Sequence, residues 1–213
     1  MKYIGLSGVA GAGKDLFFSL LSKKISCQRL SLADELKLDV KDWCVDNYGI
    51  DPTSCLRKDK DILRPFLVFH GKRKRDASAG RYWIKRLQSK INSLEKTVNN
   101  SPFEDMYCVI TDIRYDEYDC DETAWLKDEL KGKLVHILQY TERPDSNEGC
   151  LHRIPRPPAN EEEERNDPRI KEKSDFNIEW KFVENGQIGK LSSHVDEFVT
   201  WLKLQNETEL RKR

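Results

Sequence analysis

Apolar positions come in two rhythms along this chain. Tyr3-Ile4-Gly5-Leu6-Ser7 is a short continuous run that predicts a buried strand, and residues 16–23 follow with helical periodicity. Further short strands are predicted at 27–33, 107–111, 134–138 and 175–182, the last by alternation. Helical spacing marks a segment opening at Asp34 (Leu36, Val40 and Trp43 on one face, Gly49 as its stop), then 81–96 (Trp83, Leu87, Ile91, Leu94) and 121–131 (Trp125, Leu126). A last helix begins near Ser192 with Val195, Phe198, Val199 and Leu202 inward, and residues 207–213 are expected to fray. Pro65 and Gly71 predict the start and end of a short helix on which Phe66, Leu67 and Phe69 pack, and Asn99-Asn100-Ser101-Pro102 predicts a break. Strands alternating with helices predict an α/β fold with a central, mostly parallel, five-stranded sheet flanked by helices.

The segment 139–173 differs. Arginines 143, 153, 156, 165 and 169 alternate with five prolines and the acidic run Glu161 to Glu164. No core element is expected there, and two readings stand: a mobile arginine-bearing lid, or a surface loop.

A length of 213 residues suits one domain carrying an insertion. Lys+Arg and Asp+Glu are both 37, so no net charge draws the chain to nucleic acid or to an anionic membrane. No apolar run reaches the ~20 residues of a membrane span, and an opening strand leaves no room for a signal peptide. Six cysteines without a C-x-x-C pair read as reduced thiols of an intracellular protein.

Between the first strand and its helix lies Gly8-Val9-Ala10-Gly11-Ala12-Gly13-Lys14, the spacing G-x-x-x-x-G-K of a phosphate-binding loop in its required strand–turn–helix context. Glycines let backbone N–H groups close on phosphate oxygens, the helix N-terminus adds donors, and Lys14 brings a positive charge. The next residue is Asp15, where a magnesium-binding hydroxyl is usual, so Asp15 is a candidate metal-side carboxylate or helix cap. Asp112, at the end of the third predicted strand, stands where a magnesium-holding carboxylate is expected, with Arg114 beside it on the ligand-binding edge of the sheet. Arg64 and Arg75 bracket the Pro65–Gly71 segment; a guanidinium fork suits a phosphate dianion, and a solvated basic turn is the other reading. That cluster lacks the interleaved aromatics of a nucleic-acid surface. Tyr82 and Trp83 read as base-stacking or as core, and His136 as a structural histidine within its strand.

Taken in order, LSGVAGAGKD (6–15), LADELK (32–37), RPFLVFHG (64–71), ITDIRY (110–115) and NDPRIKEKSDFNI (166–178) resemble the phosphate-loop nucleoside monophosphate kinases, most of all those of phages that act on deoxynucleotides. The resemblance implies a single kinase domain over residues 1–213, with an acceptor segment at about 33–100 and a lid at about 143–173. It implies transfer of the γ-phosphoryl of ATP, with Mg2+, to a (deoxy)nucleoside monophosphate. Gly8, Gly11, Ala12, Gly13, Lys14, Asp15 and Leu16 would bind ATP. Asp34, Lys37, Arg64, Arg75, Trp83 and Arg114 would serve the acceptor, and Asp15 and Asp112 the metal. Lys14, Arg114, Arg153 and Arg165 would stabilise the transferring group, with Arg156 and Arg169 as further lid candidates. Partners would be small-molecule nucleotides, with neither nucleic acid nor membrane. The location implied is the cytoplasm, that of the host if viral, and oligomeric state stays open, a homodimer included. The competing readings are a phosphomevalonate-type small-molecule kinase and a nucleotide-binding regulatory protein without turnover.

Overall fold

The computed structural model describes residues 1–98, 106–144, 151–184 and 187–210. Six strands form one sheet: β1 (Lys2–Ser7), β2 (Cys27–Leu30), β3 (Tyr107–Ile110), β4 (Lys133–Pro144), β5 (Leu151–Pro155) and β6 (Phe176–Lys181). The order β2-β3-β1-β4 is parallel throughout, and β6 adds parallel to the free edge of β4. At Tyr140 strand β4 pairs with both β5 and β6, which puts them on opposite edges; β5 is antiparallel and extends the sheet beyond the end of β1.

Seven α-helices complete the described chain: α1 (Lys14–Leu21), α2 (Leu32–Tyr48), α3 (Arg57–Asp76), α4 (Arg81–Val98), the short α5 (Glu122–Ala124), α6 (Glu161–Lys173) and α7 (Ser192–Leu210). Strand alternation sends Ile4, Leu6, Val109, Val135 and Ile137 to one face, where Phe17 of α1 and Val195, Phe198 and Leu202 of α7 cover them. Tyr3, Cys108, Ile110 and Leu134 take the other face, under Ile84, Leu87 and Ile91 of α4, Trp125, Leu126 and Ile170 of α6. The result is a three-layer α/β architecture with helices on both faces of a mostly parallel sheet. Gly5 is needed on the second face because a Cβ there would lie 2.2 Å from a Leu126 methyl.

Several expected elements differ. Residues 57–76 form a single helix that runs through both Pro65 and Gly71. Pro65 is exposed, as is Asp61, whose carbonyl it leaves unpaired, so water can offset the lost hydrogen bond. Gly71 serves close approach instead of termination: a Cβ would stand 3.2 Å from Leu36, and its carbonyl accepts Trp83 Nε1–H at 3.1 Å. Phe69 is exposed, and Trp43 is half-exposed, stacked on Phe66 at 4.6 Å beside a small cluster of Val40, Cys44 and Leu63. The helix expected at 121–131 is α-helical only over α5 and then widens into a π-helical turn at Trp125–Glu129, where the adjacent Trp125 and Leu126 are both buried.

The largest correction concerns 139–173, whose described residues carry regular structure. It supplies the sixth strand β5, one more than expected, and helix α6, which buries Asn166 and Ile170 completely or nearly so. Asn160 caps α6 by accepting from Glu163 N–H at 2.8 Å, four glutamates fill its first turn, and Lys171 and Lys173 its last. The predicted break at 99–102 lies outside the described residues. Helix α7 continues to Leu210, past the start of the expected fraying. Among the described residues the five cysteines are free thiols, and no helix is long and apolar enough to cross a membrane.

Phe198 is fully buried and meets Phe17 and Phe176 edge-on, with centroids 5.5 and 5.4 Å away, so it joins α1, β6 and α7. Replacing it with alanine is expected to lower unfolding free energy by about 3–5 kcal/mol in a urea titration.

Candidate functional site

The glycine-rich loop follows the carboxyl end of β1 and lies against Ile137 in the middle of the longer β4, on the edge where ligands bind in open α/β sheets. Gly8, Gly11 and Gly13 all have positive φ. At Gly8 any side chain is excluded, because a Cβ would sit 2.1 Å from the Ile137 carbonyl oxygen. The loop is fastened from outside: Ala12 is fully buried, and its carbonyl accepts Trp180 Nε1–H of β6 at 2.9 Å. Gly13 begins α1 without a side-chain cap, leaving the first-turn N–H groups without helical partners.

Lys14 is buried, and its ammonium donates to the carbonyls of Gly8 at 2.5 Å and Val9 at 3.0 Å. Burial and then the nearby Arg114 charge lower its pKa to about 8. Asp15 is largely exposed in the first turn of α1, and its carboxylate lies 3.5 Å from Arg29 Nε. Leu16 packs against the core on the α1 side.

Two arginines converge on the loop. Arg156 Nε donates to the Ala10 carbonyl at 2.8 Å and covers Gly11 so closely that a Cβ there would collide with the guanidinium. Arg114 reaches the Glu163 carboxylate at 3.2 Å, and its own N–H is held by Glu122 at 2.7 Å. Glu122 is buried, and burial beside Asp121 raises its pKa to about 8, while its carboxyl accepts the backbone N–H groups of Arg114 and Tyr115. The Glu163 carboxylate accepts the Ala10 N–H at 3.0 and 3.2 Å. A cavity of about 330 Å3 adjoins, lined by Val9, His136, Gln139, Arg156, Glu163 and Asp167.

The other expected site residues divide. Asp34 and Lys37 stand in the first two turns of α2, 3.0 Å apart, and Arg29 binds Asp34 at 2.6 Å while approaching Asp15; this carboxylate–arginine ladder joins α1 to α2. Asp112 is nearly buried and faces the α2 N-terminus, accepting Ser31 Oγ–H at 2.9 Å and the N–H groups of Leu32 and Ala33 at 2.9 and 2.7 Å. That is an anion at a helix N-terminus, so its oxygens are already engaged. Arg64 is exposed, 3.5 Å from Asp61. Arg153 lies over the Tyr140 ring at 4.7 Å, and Arg165 approaches Glu117 at 3.7 Å, both away from the loop contacts that Arg156 makes.

Arg75 and Trp83 are both engaged inside the protein, Trp83 in the core position that is one of its two readings from the sequence. Arg75 is buried, its guanidinium between the rings of Tyr115 and Tyr118 (3.9 and 4.8 Å), paired with Asp121 and with Glu117 at 2.8 Å. Its charge is spent inside the protein. Trp83 is a core residue, bonded to Gly71 and edge-on to Tyr82. His136 is a buried strand histidine whose Nε2 meets Asp167 of α6 at 3.1 Å. Glu163, Trp180 and Arg29 carry parts of the site that the sequence reading missed. Only Glu163 left a signal, the Asn160-x-x-Glu163 spacing of a helix cap.

No family model matches this sequence, and no curated protein matches it. Among solved structures, a dephospho-CoA kinase from Campylobacter jejuni is similar: 16% identical, with 97% of this chain and 100% of that one covered, at a TM-score of 0.42. A likeness that loose adds nothing to the sheet order already described.

Two outcomes follow from this geometry. Arg75→Ala leaves the fully buried Asp121 carboxylate without its cation and is expected to cost about 3–5 kcal/mol of stability in a denaturant titration, without weakening the binding of a tripolyphosphate probe to the loop of the folded protein. Because a polyanion at the loop favours the protonated amine, affinity for inorganic tripolyphosphate as a probe is expected to fall as pH rises through about 8, by up to about tenfold per pH unit, in titrations from neutral to alkaline pH.

Proposed function

We propose that this chain is a phosphotransferase that moves the γ-phosphoryl group of ATP to a nucleoside monophosphate, with deoxynucleoside monophosphates as the favoured acceptors. The observation that carries the reading is the loop itself: a positive-φ glycine turn against β4, a buried lysine, and Arg114 and Arg156 converging where a carboxylate already takes a loop N–H. Anion recognition is therefore built in. The acceptor class rests on the order of the sequence motifs.

In this reading Gly8, Gly11, Ala12, Gly13, Lys14, Asp15 and Leu16 line the phosphate cradle, with the Ala12 N–H shaping the turn through the Val9 carbonyl at 3.1 Å and not donating to phosphate. Helices α2–α4 form the acceptor segment, and β5 with α6 forms the lid. Asp34, Lys37 and Arg64 remain the acceptor-side candidates, with Arg29 added, and Arg114 can serve either nucleotide. Arg156 is favoured over Arg153 and Arg165 as the lid arginine because it already touches the loop.

Among the described residues no group of three or more His, Cys, Asp or Glu forms a metal cage. The residues present fit a magnesium ion that would arrive on the nucleotide phosphates and keep most of its waters, with Asp15 as the exposed carboxylate; Asp112, both of whose oxygens are held by the start of α2, would serve only through a bound water. Such an ion would neutralise charge on the transferring group. An acceptor phosphate oxygen attacks the γ-phosphorus, the bond to the β–γ bridging oxygen breaks, and ADP departs with that electron pair. The acceptor is already a nucleophile, so no general base is assigned. Lys14, Arg114 and Arg156 act by positioning and by offsetting charge.

The test is ADP formation from Mg-ATP with each ribonucleoside and deoxynucleoside monophosphate. Turnover that requires a monophosphate is expected, strongest with a deoxynucleotide, and Lys14→Ala should lower kcat by about 10²–10³-fold. Turnover only with a small phosphorylated alcohol would transfer the reading to a small-molecule kinase. ATP binding without any turnover would point to a regulatory binder.

A further inference from the structure

We infer that Glu163 is a built-in occupant of the phosphate loop, which closes the lid helix onto the loop and must withdraw before nucleotide phosphates can bind. The inference rests on the reading of the loop as a nucleotide phosphate site and adds a mode of regulation to that site.

The carboxylate makes the contacts a phosphate would make. Both oxygens lie within hydrogen-bond distance of Ala10 N–H, at 3.0 and 3.2 Å, and one meets Arg114 Nη1 at 3.2 Å. The other oxygen accepts Ala159 N–H at 2.9 Å, just before the α6 cap. Glu163 is nearly buried, unlike its exposed neighbours Glu161 and Glu164. Its negative charge also favours the protonated form of Lys14, as phosphate would. A buried carboxylate between a loop amide and an arginine is a substitute anion.

The rest of α6 holds that carboxylate in place. Asn166 accepts from Asp116 N–H at 3.0 Å and donates to Glu117 at 3.1 Å, Asp167 meets His136 at 3.1 Å, and Ile170 enters the core. The helix is thereby docked on the body with its first turn over the loop. A phosphate chain and this carboxylate cannot share one N–H, since like charges in contact repel. Nucleotide affinity is then reduced by the fraction of molecules in which Glu163 is seated. Withdrawal frees the Ala10 amide and the Arg114 guanidinium together, so both become available to incoming phosphates in one step.

The experiment titrates the full chain with Mg-ATP as wild type and as Glu163→Gln, which keeps size and removes charge. Amide hydrogen exchange at Ala159 is followed in the wild type with and without Mg-ATP. Tighter binding by the variant, by about tenfold, is expected, because the competing anion is gone. Faster exchange at Ala159 on addition of Mg-ATP is also expected, because its acceptor has left. Wild-type binding with unchanged Ala159 exchange would overturn the inference even if the variant failed to fold. So would a variant that binds Mg-ATP no more tightly than wild type, and in both cases the phosphate-loop reading would stand. Failure of wild type and a folded Glu163→Gln alike to bind Mg-ATP would overturn both. Binding by the variant alone would support both.

Discussion

A backbone that turns on left-handed glycines leaves amide hydrogens without strand or helix partners, and that deficit organises this molecule. The loop from Gly8 to Lys14 exists only because Gly8 can lie against the Ile137 carbonyl, where a Cβ would overlap it. Its donors need an acceptor, and buried N–H groups are rarely left alone. Here the Glu163 carboxylate meets the need at Ala10, and the uncapped start of α1 offers more of the same. Trp180 on β6 and Ile137 on β4 hold the loop from below, so its shape belongs to the sheet.

Charge is handled differently on the two sides of the loop. Toward α2, carboxylates and arginines are arranged in a ladder from Asp15 through Arg29 to Asp34 and Lys37. Asp112 is committed to the start of α2, joining the β3 end to the helix that begins the proposed acceptor segment. Toward α6, Arg114 and Arg156 bring positive charge to the loop, and the acidic first turn of α6 answers it. Arg75 belongs to neither side: with its two carboxylates and two tyrosine rings it fixes the segment 115–121 from within.

The sequence displayed the parts whose cause is local. Strand, loop and α1 follow from apolar runs and from G-x-x-x-x-G-K, and the parallel sheet follows from the alternation of strands with helices. What stayed hidden depends on contacts distant in sequence. Pro65 and Gly71 look like punctuation, yet exposure of one and the approach of Leu36 and Trp83 to the other keep α3 continuous. Helix α6 has almost no apolar stripe, because it is held by polar contacts of Glu163, Asn166 and Asp167 with partners roughly 30–150 residues away, a pattern that helical spacing cannot reveal. The resemblance put Arg75 and Arg114 alike on the acceptor side; only the tertiary fold separates an arginine enclosed by tyrosines from one that meets the Glu163 carboxylate beside the loop.

The central claim is that this loop delivers a phosphoryl group to a second nucleotide and not to water. Phosphorus NMR of one mixture of the protein, Mg-ATP and a deoxynucleoside monophosphate tests it directly. The account predicts ADP and deoxynucleoside diphosphate signals growing in equal amounts with no inorganic phosphate. Inorganic phosphate appearing at the same rate with and without the monophosphate, or an unchanged ATP spectrum with every monophosphate, would contradict it.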